Sequence, residues 1–288
     1  MKVNAFRPFS LNCAGRLIQA YEPVIVGILN TTPDSFYEAS RTGVDDVVDR
    51  AKQLVDDGAD WLDVGGCSTR PGADVPSVET EWQRVAPTLK QLRQALPDVP
   101  LSIDTYRSEI ARRAVNEGAW IVNDISGGQM DPDMHATVAE LKTPYILTHF
   151  PSGKTPGNMQ DGEFTSPEDI VAEVMHFFTR ESKKLHDMGI HDVMLDPGFG
   201  FGKSLEGNYA MLDGLSIMAE LAQPLYVGIS RKSMFWKPLN TTADHVLGAT
   251  TAAHAWAIER GAQILRVHDP REAKQVRDLH QVMQRAAQ

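Results

Sequence analysis

Cysteine is scarce in this chain of 288 residues: Cys13 and Cys67 are its two copies. Two thiols cannot build a disulfide framework, and no Cys/His cluster has zinc-ligand spacing. Long apolar runs are missing as well. Met1 to Tyr21 contains no apolar run of signal-peptide length, because Arg7, Asn12 and Arg16 interrupt it. No stretch approaches the roughly 20 apolar residues of a membrane span. These absences predict a cytoplasmic protein with no membrane partner. Basic charge is also in deficit: 28 Lys and Arg stand against 38 Asp and Glu, for a net charge of −10. A duplex-binding protein shows a basic face, so nucleic acid is excluded as the main partner. A small anionic ligand stays open, since a few local basic side chains and backbone N–H groups suffice to hold one. No low-complexity segment or break in composition marks a second domain. The chain therefore reads as a single domain over 1–288, with an N-terminal extension over 1–23 and the main fold over 24–288.

With 42% hydrophobic and 23% charged residues, the composition is that of a globular chain. Eight short apolar runs recur: Val24–Asn30, Trp61–Gly66, Leu101–Asp104, Ile121–Asp124, Tyr145–His149, Val193–Gly198, Leu225–Ser230 and Ile264–His268. Helical periodicity fills the intervals. Val78, Trp82, Val85, Leu89, Leu92 and Leu96 share one helix face, as do Val44, Val47, Val48, Ala51 and Val55. Ile170, Val174, Phe177, Phe178, Leu185 and Met188 form a third stripe, and a last helix is expected from Pro270 to Gln284. Apolar runs without alternation suit parallel strands buried on both faces. Eight strand–helix pairs in this order predict an α/β fold, a (β/α)₈ TIM barrel, with an open doubly wound sheet as the competing arrangement. The residues up to Pro23 are expected to form a small hairpin or plug.

Nearly every run ends in a polar residue: Asn30, Asp63, Asp104, Asn123 and Asp124, His149, Asp196, Ser230 to Ser233, and Arg266 to His268. In a barrel these ends converge on one mouth, where active sites lie. Any one of them could be a helix cap or a loop hydrogen-bonder; the recurrence points to a site. Asp104, Asn123 and Asp196 need partners there, because burying such groups unpaired is costly. A heterocycle rich in N–H donors would supply them. The basic residues come late, as Arg231, Lys232, Arg266 and His268, where barrels often bind phosphate. The pattern suggests a ligand with a heterocyclic head and a phosphate tail. Pro197 to Ser204 nearly matches a nucleotide-binding phosphate loop, but Pro197 stands where that motif needs glycine. His149 and His268 lie on separate runs, so hydrogen-bonding or anion-binding roles suit them better than metal ligation.

Seven stretches together resemble the dihydropteroate synthase family of folate biosynthesis. They are Gly27–Phe36, Asp63–Ala73, Ser102–Thr105, Val122–Ile125, Leu195–Lys203, Gly228–Ser233 and Arg266–Asp269, in the family's order from about residue 21 onward. The resemblance implies a (β/α)₈ barrel and a transferase. That enzyme joins 6-hydroxymethyl-7,8-dihydropterin diphosphate to para-aminobenzoate, giving 7,8-dihydropteroate and pyrophosphate by an SN1-like displacement. It also implies that Asp104, Asn123, Asp196 and Lys232 line the pterin pocket, and that Asn30, Arg266 and His268 hold the diphosphate, with Mg²⁺ reached through Asn30. Thr69, Arg70 and Pro71 on the second loop, and Pro33, Asp34 and Phe36 on the first, would close over para-aminobenzoate. Phe201 would pack on the benzoate ring and Ser233 would bind its carboxylate. Asp104, Lys232, Arg266 and His268 would carry the chemistry. Family members are homodimers, so a homodimer is expected.

The chain departs from the family pattern at Tyr37–Arg41, where Ser-Asp-Gly-Gly is usual, at Cys67 in place of a common Glu, and at Trp236 in place of Gly. Two other readings stand beside the synthase. One is a methyltetrahydrofolate-dependent methyltransferase of the related pterin-binding barrels, which would need neither Ser230–Ser233 nor an anion corner at Arg266 and His268. The other is a non-catalytic pterin-binding barrel, supported by the divergent first loop.

Overall fold

Strand alternation decides which side chains meet on the barrel axis. In the computed structural model, which describes residues 6–31, 45–67, 75–151 and 170–286, eight parallel strands close into a barrel. They are β3 (Val24–Asn30), β4 (Trp61–Gly65), β5 (Leu101–Asp104), β6 (Ile121–Asp124), β7 (Tyr145–Thr148), β8 (Val193–Asp196), β9 (Leu225–Val227) and β10 (Ala262–Val267). Each pairs with the next in sequence, and β10 closes the ring on β3 through Leu265 opposite Ile25 and Arg266 opposite Val26. The open-sheet alternative is thereby eliminated.

The expected helices form at Asp45–Asp56, Val78–Ala95, Ile170–Asp187 and Pro270–Ala286. Ser77 caps the second of these, its Oγ accepting from the Thr80 N–H at 3.1 Å. Val85, Leu89 and Leu92 on that helix's inner face are fully buried against outward-facing strand residues such as Val64 and Ile103. This layer between barrel and helices is the main core.

A second apolar layer fills the barrel's interior: Val24, Val26, Trp61, Ile121, Ile146, Met194, Tyr226 and Ile264. An antiparallel hairpin, β1 (Phe9–Cys13) and β2 (Arg16–Ala20), packs Leu11, Cys13 and Ala20 against it. The N-terminal segment is thus a plug under the barrel, as its position in the sequence suggested. Because this layer seals the barrel from below, the residues two positions further along several strands face the mouth. Trp61 is followed by Asp63, Ile121 by Asn123, Ile146 by Thr148, Met194 by Asp196, and Ile264 by Arg266. The polar floor follows from the apolar one by the two-residue period of a strand.

Candidate active site

Asp63, Ser102, Asp104, Asn123 and Asp196 are all buried at this mouth. Asp63, in the middle of β4, has no exposed surface and accepts from Ser102 Oγ, from Asn123 Nδ2 at 3.0 Å and from Arg266 Nε at 2.6 Å. Arg266 also donates through Nη2 to Asp104 Oδ2 at 2.6 Å. Burial pushes the Asp104 carboxyl up, with Asp63 and Glu81 adding to the rise and Arg266 opposing it. The two carboxylates in turn hold the Arg266 guanidinium well above its ordinary range against its own burial. Gly65 faces these groups. A Cβ there would sit 3.5 Å from Asn30 Oδ1 and 3.6 Å from Asp104 Oδ2, so any side chain would fill the space between them.

Asp196, at the end of β8, accepts from the Gly198 N–H at 2.8 Å through Oδ1. Burial raises its carboxyl and the positive charge of Lys232 is the chief opposing influence. Lys232 is placed by the residue before it. Arg231 adopts a left-handed backbone (φ 56°), rare for a side chain of its size, and turns outward into a two-bond ion pair with Asp269, at 2.8 and 2.7 Å. Lys232 is thereby turned inward, where Nζ donates to the Phe199 carbonyl and lies 5.0 Å from the centre of the Phe201 ring. Burial pulls its ammonium down to about 8. Phe201 belongs to a small apolar cluster with Tyr106, Ile125 and Phe150, beside the polar floor.

The mouth therefore gathers Asn30, Asp104, Asn123, Asp196, Phe201, Lys232 and Arg266. Three acceptor oxygens remain without a donor among the described residues: the second oxygens of Asp104 and Asp196, and Asn123 Oδ1. His268 is exposed at the rim; its N–H donates to Ser230 Oγ at 3.2 Å and its Nδ1 lies 3.1 Å from the same hydroxyl. Ser233 opens the one-turn helix Ser233–Trp236, whose capping position is held by Lys232. Phe36, Thr69, Arg70 and Pro71, with Pro33 and Asp34, lie outside the described residues.

Several sequence signals resolve away from the mouth. Asp124 follows Asn123 and so faces outward, where it accepts from Ser126, from the Gly128 N–H and from the Tyr145 hydroxyl at 2.7 Å. His149 packs edge-on against Phe177, and burial pushes its imidazole down to about 2, leaving it neutral. Lys203, the lysine of the near-match phosphate loop, donates to the carbonyls of Gly198 (2.8 Å), His149 and Phe201 (both 3.3 Å). Burial pulls its ammonium down to about 7, and its Nζ ties the loop down and is not offered to a phosphate. One contributor to the floor, Asp63, has no ligand-binding role implied by the family resemblance. Asp63 stands among the polar residues that close the apolar runs, but its sequence position gives no sign that it pairs with Arg266 and Asn123 beneath the floor.

An acceptor-lined floor beside half-buried cations, at the C-terminal mouth of a (β/α)₈ barrel, defines the class: a barrel suited to a flat N–H-rich heterocycle. The sequence matches the pterin-binding enzyme family over residues 26–268, and the chain belongs to it. It is 40% identical over 257 residues to the dihydropteroate synthase of Synechocystis sp., covering 88% of this chain and 87% of that one. Among solved structures it resembles the Xanthomonas albilineans dihydropteroate synthase bound to 4-aminobenzoic acid, with a TM-score of 0.87, 36% identity and coverage of 96% and 98%. The same enzyme in complex with 7,8-dihydropteroate matches with a TM-score of 0.83, 33% identity and the same coverage.

Proposed function

We propose that this chain is a dihydropteroate synthase, a transferase that condenses 6-hydroxymethyl-7,8-dihydropterin diphosphate with para-aminobenzoate. The observation that carries the reading is the floor itself: acceptors on Asp104, Asn123 and Asp196 that have no donor among the described residues, next to the cations Arg266 and Lys232. A pterin's aminopyrimidine edge presents adjacent N–H donors, and an ionised Asp196 accepts two of them in charge-assisted bonds. Lys232 donates to the ring's carbonyl or a ring nitrogen. Phe201 packs on the benzoate ring of the second substrate, and Ser233 takes its carboxylate. Phe36, Thr69, Arg70 and Pro71 complete that pocket from the first two loops.

Asn30, Arg266 and His268 form the diphosphate corner. Arg266 spends two N–H groups on Asp63 and Asp104, which leaves three for phosphate oxygens. The residues also fit Mg²⁺. Asn30 Oδ1 is a hard neutral oxygen at the rim beside Gly65 and Asp104, and Mg²⁺ commonly takes one or two protein oxygens, keeping waters and substrate phosphates for the rest. When bound, the ion would neutralise phosphate charge. The bond between the pterin methylene carbon and the diphosphate oxygen breaks, its electron pair leaving with pyrophosphate toward Arg266 and His268. The conjugated ring, held flat by Asp104, Asn123 and Asp196, carries the resulting positive charge. The arylamine nitrogen then forms the new C–N bond from its lone pair and gives up a proton to solvent. An arylamine is largely unprotonated at neutral pH, so the step needs no strong general base.

No helix among the described residues is long and apolar enough to cross a membrane. A cytoplasmic setting accords with two cysteines, Cys13 and Cys67, that form no disulfide. A homodimer is supported by the apolar side chains that the late helices expose: Trp256 on Leu247–Glu259, and Leu279, Val282 and Met283 on Pro270–Ala286. The test is detection of 7,8-dihydropteroate from the two substrates, with and without Mg²⁺. Product that depends on both substrates is expected and falls when the ion is chelated; no product under any condition would overturn the reading.

A further inference from the structure

We propose that Asp63 is a positioning residue that sets the hydrogen-bond polarity of the pterin floor, acting through Asn123 and Arg266 without touching the substrate. This inference rests on the functional reading above and extends it to a residue that reading leaves without a role.

Asp63 has no exposed surface, so no ligand at the mouth reaches it directly. Its carboxylate receives three donors from three different strands: Ser102 of β5, Asn123 of β6 and Arg266 of β10. A carboxylate bound to a guanidinium accepts only. Asn123 must therefore present its NH₂ group to Asp63, since turning the amide over would set two oxygens against each other. The amide's other arm, Oδ1, is then fixed as the one directed away from Asp63. Asn123 meets the ring as an acceptor, in keeping with Asp104 and Asp196. Without Asp63 the amide could rotate by half a turn and offer a donor to the pterin's own donors.

The second effect falls on Arg266. Its Nε points at Asp63 and its Nη2 at Asp104. Two carboxylates on two strands fix the guanidinium plane where a single bond would leave it to swivel. Asp63 thus governs two substrate contacts of different kinds, ring and tail, from beneath both.

The test uses calorimetry on the full chain with two separate probes: 6-hydroxymethylpterin, which lacks the tail, and pyrophosphate. Asp63→Asn keeps the shape but can offer NH₂ to Asn123, so the tail-less pterin should bind about 10-fold more weakly, the equivalent of one lost hydrogen bond. In an Asn123→Ala background, the same substitution should weaken that probe less than about 2-fold, because the route through the amide is already gone. Ser102→Ala leaves the carboxylate in place but removes one of its tethers, and should weaken pterin binding about 3-fold. This milder variant decides the matter should Asp63→Asn fail to fold. Unchanged pterin affinity in a folded Asp63→Asn or Ser102→Ala variant would overturn the proposal. So would an Asp63→Asn effect that is as large with Ala at 123 as with Asn. Failure of the unsubstituted protein to bind 6-hydroxymethylpterin would instead contradict the functional reading itself.

Discussion

Arg266 Nη2 lies 2.6 Å from Asp104 Oδ2, an ion pair that crosses the mouth from β10 to β5 over the two strands between them. With Asp63 on the same guanidinium, one cation faces two buried carboxylates. Such a network has a one-sided energy. Removing the cation strands Asp63, which has no exposed surface, and unpairs Asp104 at the mouth; breaking a buried pair this way costs about 3–5 kcal/mol.

Arg266→Met is therefore expected to destabilise the protein by about 3 kcal/mol or more, well above the median for a single substitution. Urea unfolding at pH 7 measures this. Part of the loss should return in the Arg266→Met/Asp63→Asn double variant, which leaves one carboxylate fewer to strand. A loss below about 1 kcal/mol for the single variant would mean that water already reaches these groups.

Lys232 gives the site a pH dependence of definite sign. Burial pulls its ammonium down to about 8, so it loses its proton as pH rises through that value. The positive charge facing Asp196 then vanishes, and substrate affinity should fall above about pH 8. Steady-state kinetics from pH 6 to 10 follow this as a rise in KM for the pterin substrate. Lys232→Arg keeps its charge across the range and should flatten that rise while lowering overall activity, because the longer fork cannot reproduce the contact with the Phe199 carbonyl. The effect on stability has the opposite sign. A lysine whose folded-state pKa is depressed binds fewer protons than in the unfolded chain between about pH 8 and 10.5, so its burial penalty is relieved as pH rises across that window.

Gly198 holds the loop between Asp196 and Phe201 in a conformation that no other residue fits. Its φ is +69°, and a Cβ would lie 2.1 Å from the His149 carbonyl oxygen. Gly198→Ala should displace the loop, weaken the Gly198 N–H bond to Asp196 and cost at least about 1–3 kcal/mol. A thermal melt reports the stability, and KM for both substrates should rise together, since the loop joins the pterin acceptor to the ring at Phe201. A variant with wild-type KM values would show that the loop is not set by this contact.

Much of this was legible in the chain, for a physical reason. Buried parallel strands write themselves as apolar runs; Leu101–Asp104 and Ile121–Asp124 appear at those bounds in both sequence and structure. The polar residues at the ends of the runs marked Asn30, Asp104, Asn123, Asp196 and Arg266 in the same way. Direction was harder. Asn123 and Asp124 are equally polar neighbours, and only the two-residue period counted from Ile121 shows that the first faces the mouth and the second the helices. Pairing was harder still. By its position alone Arg266 reads as a phosphate ligand, whereas the fold also sets it between Asp63 and Asp104, partners 203 and 162 positions away in sequence. Contacts that distant leave no local periodicity. The rejection of the near-match phosphate loop at Pro197 holds: three nearby carbonyls take the Lys203 Nζ.

The central claim is that Asp196, with Asp104 and Asn123, receives the N–H edge of a pterin. Calorimetric titration of 6-hydroxymethylpterin into the unsubstituted protein and into Asp196→Ala tests it most directly. Two charge-assisted bonds at about 1.5–3 kcal/mol each correspond to at least a 100-fold loss of affinity in the variant, while its binding of pyrophosphate alone should be unchanged. Equal pterin affinity in the two proteins would contradict the account.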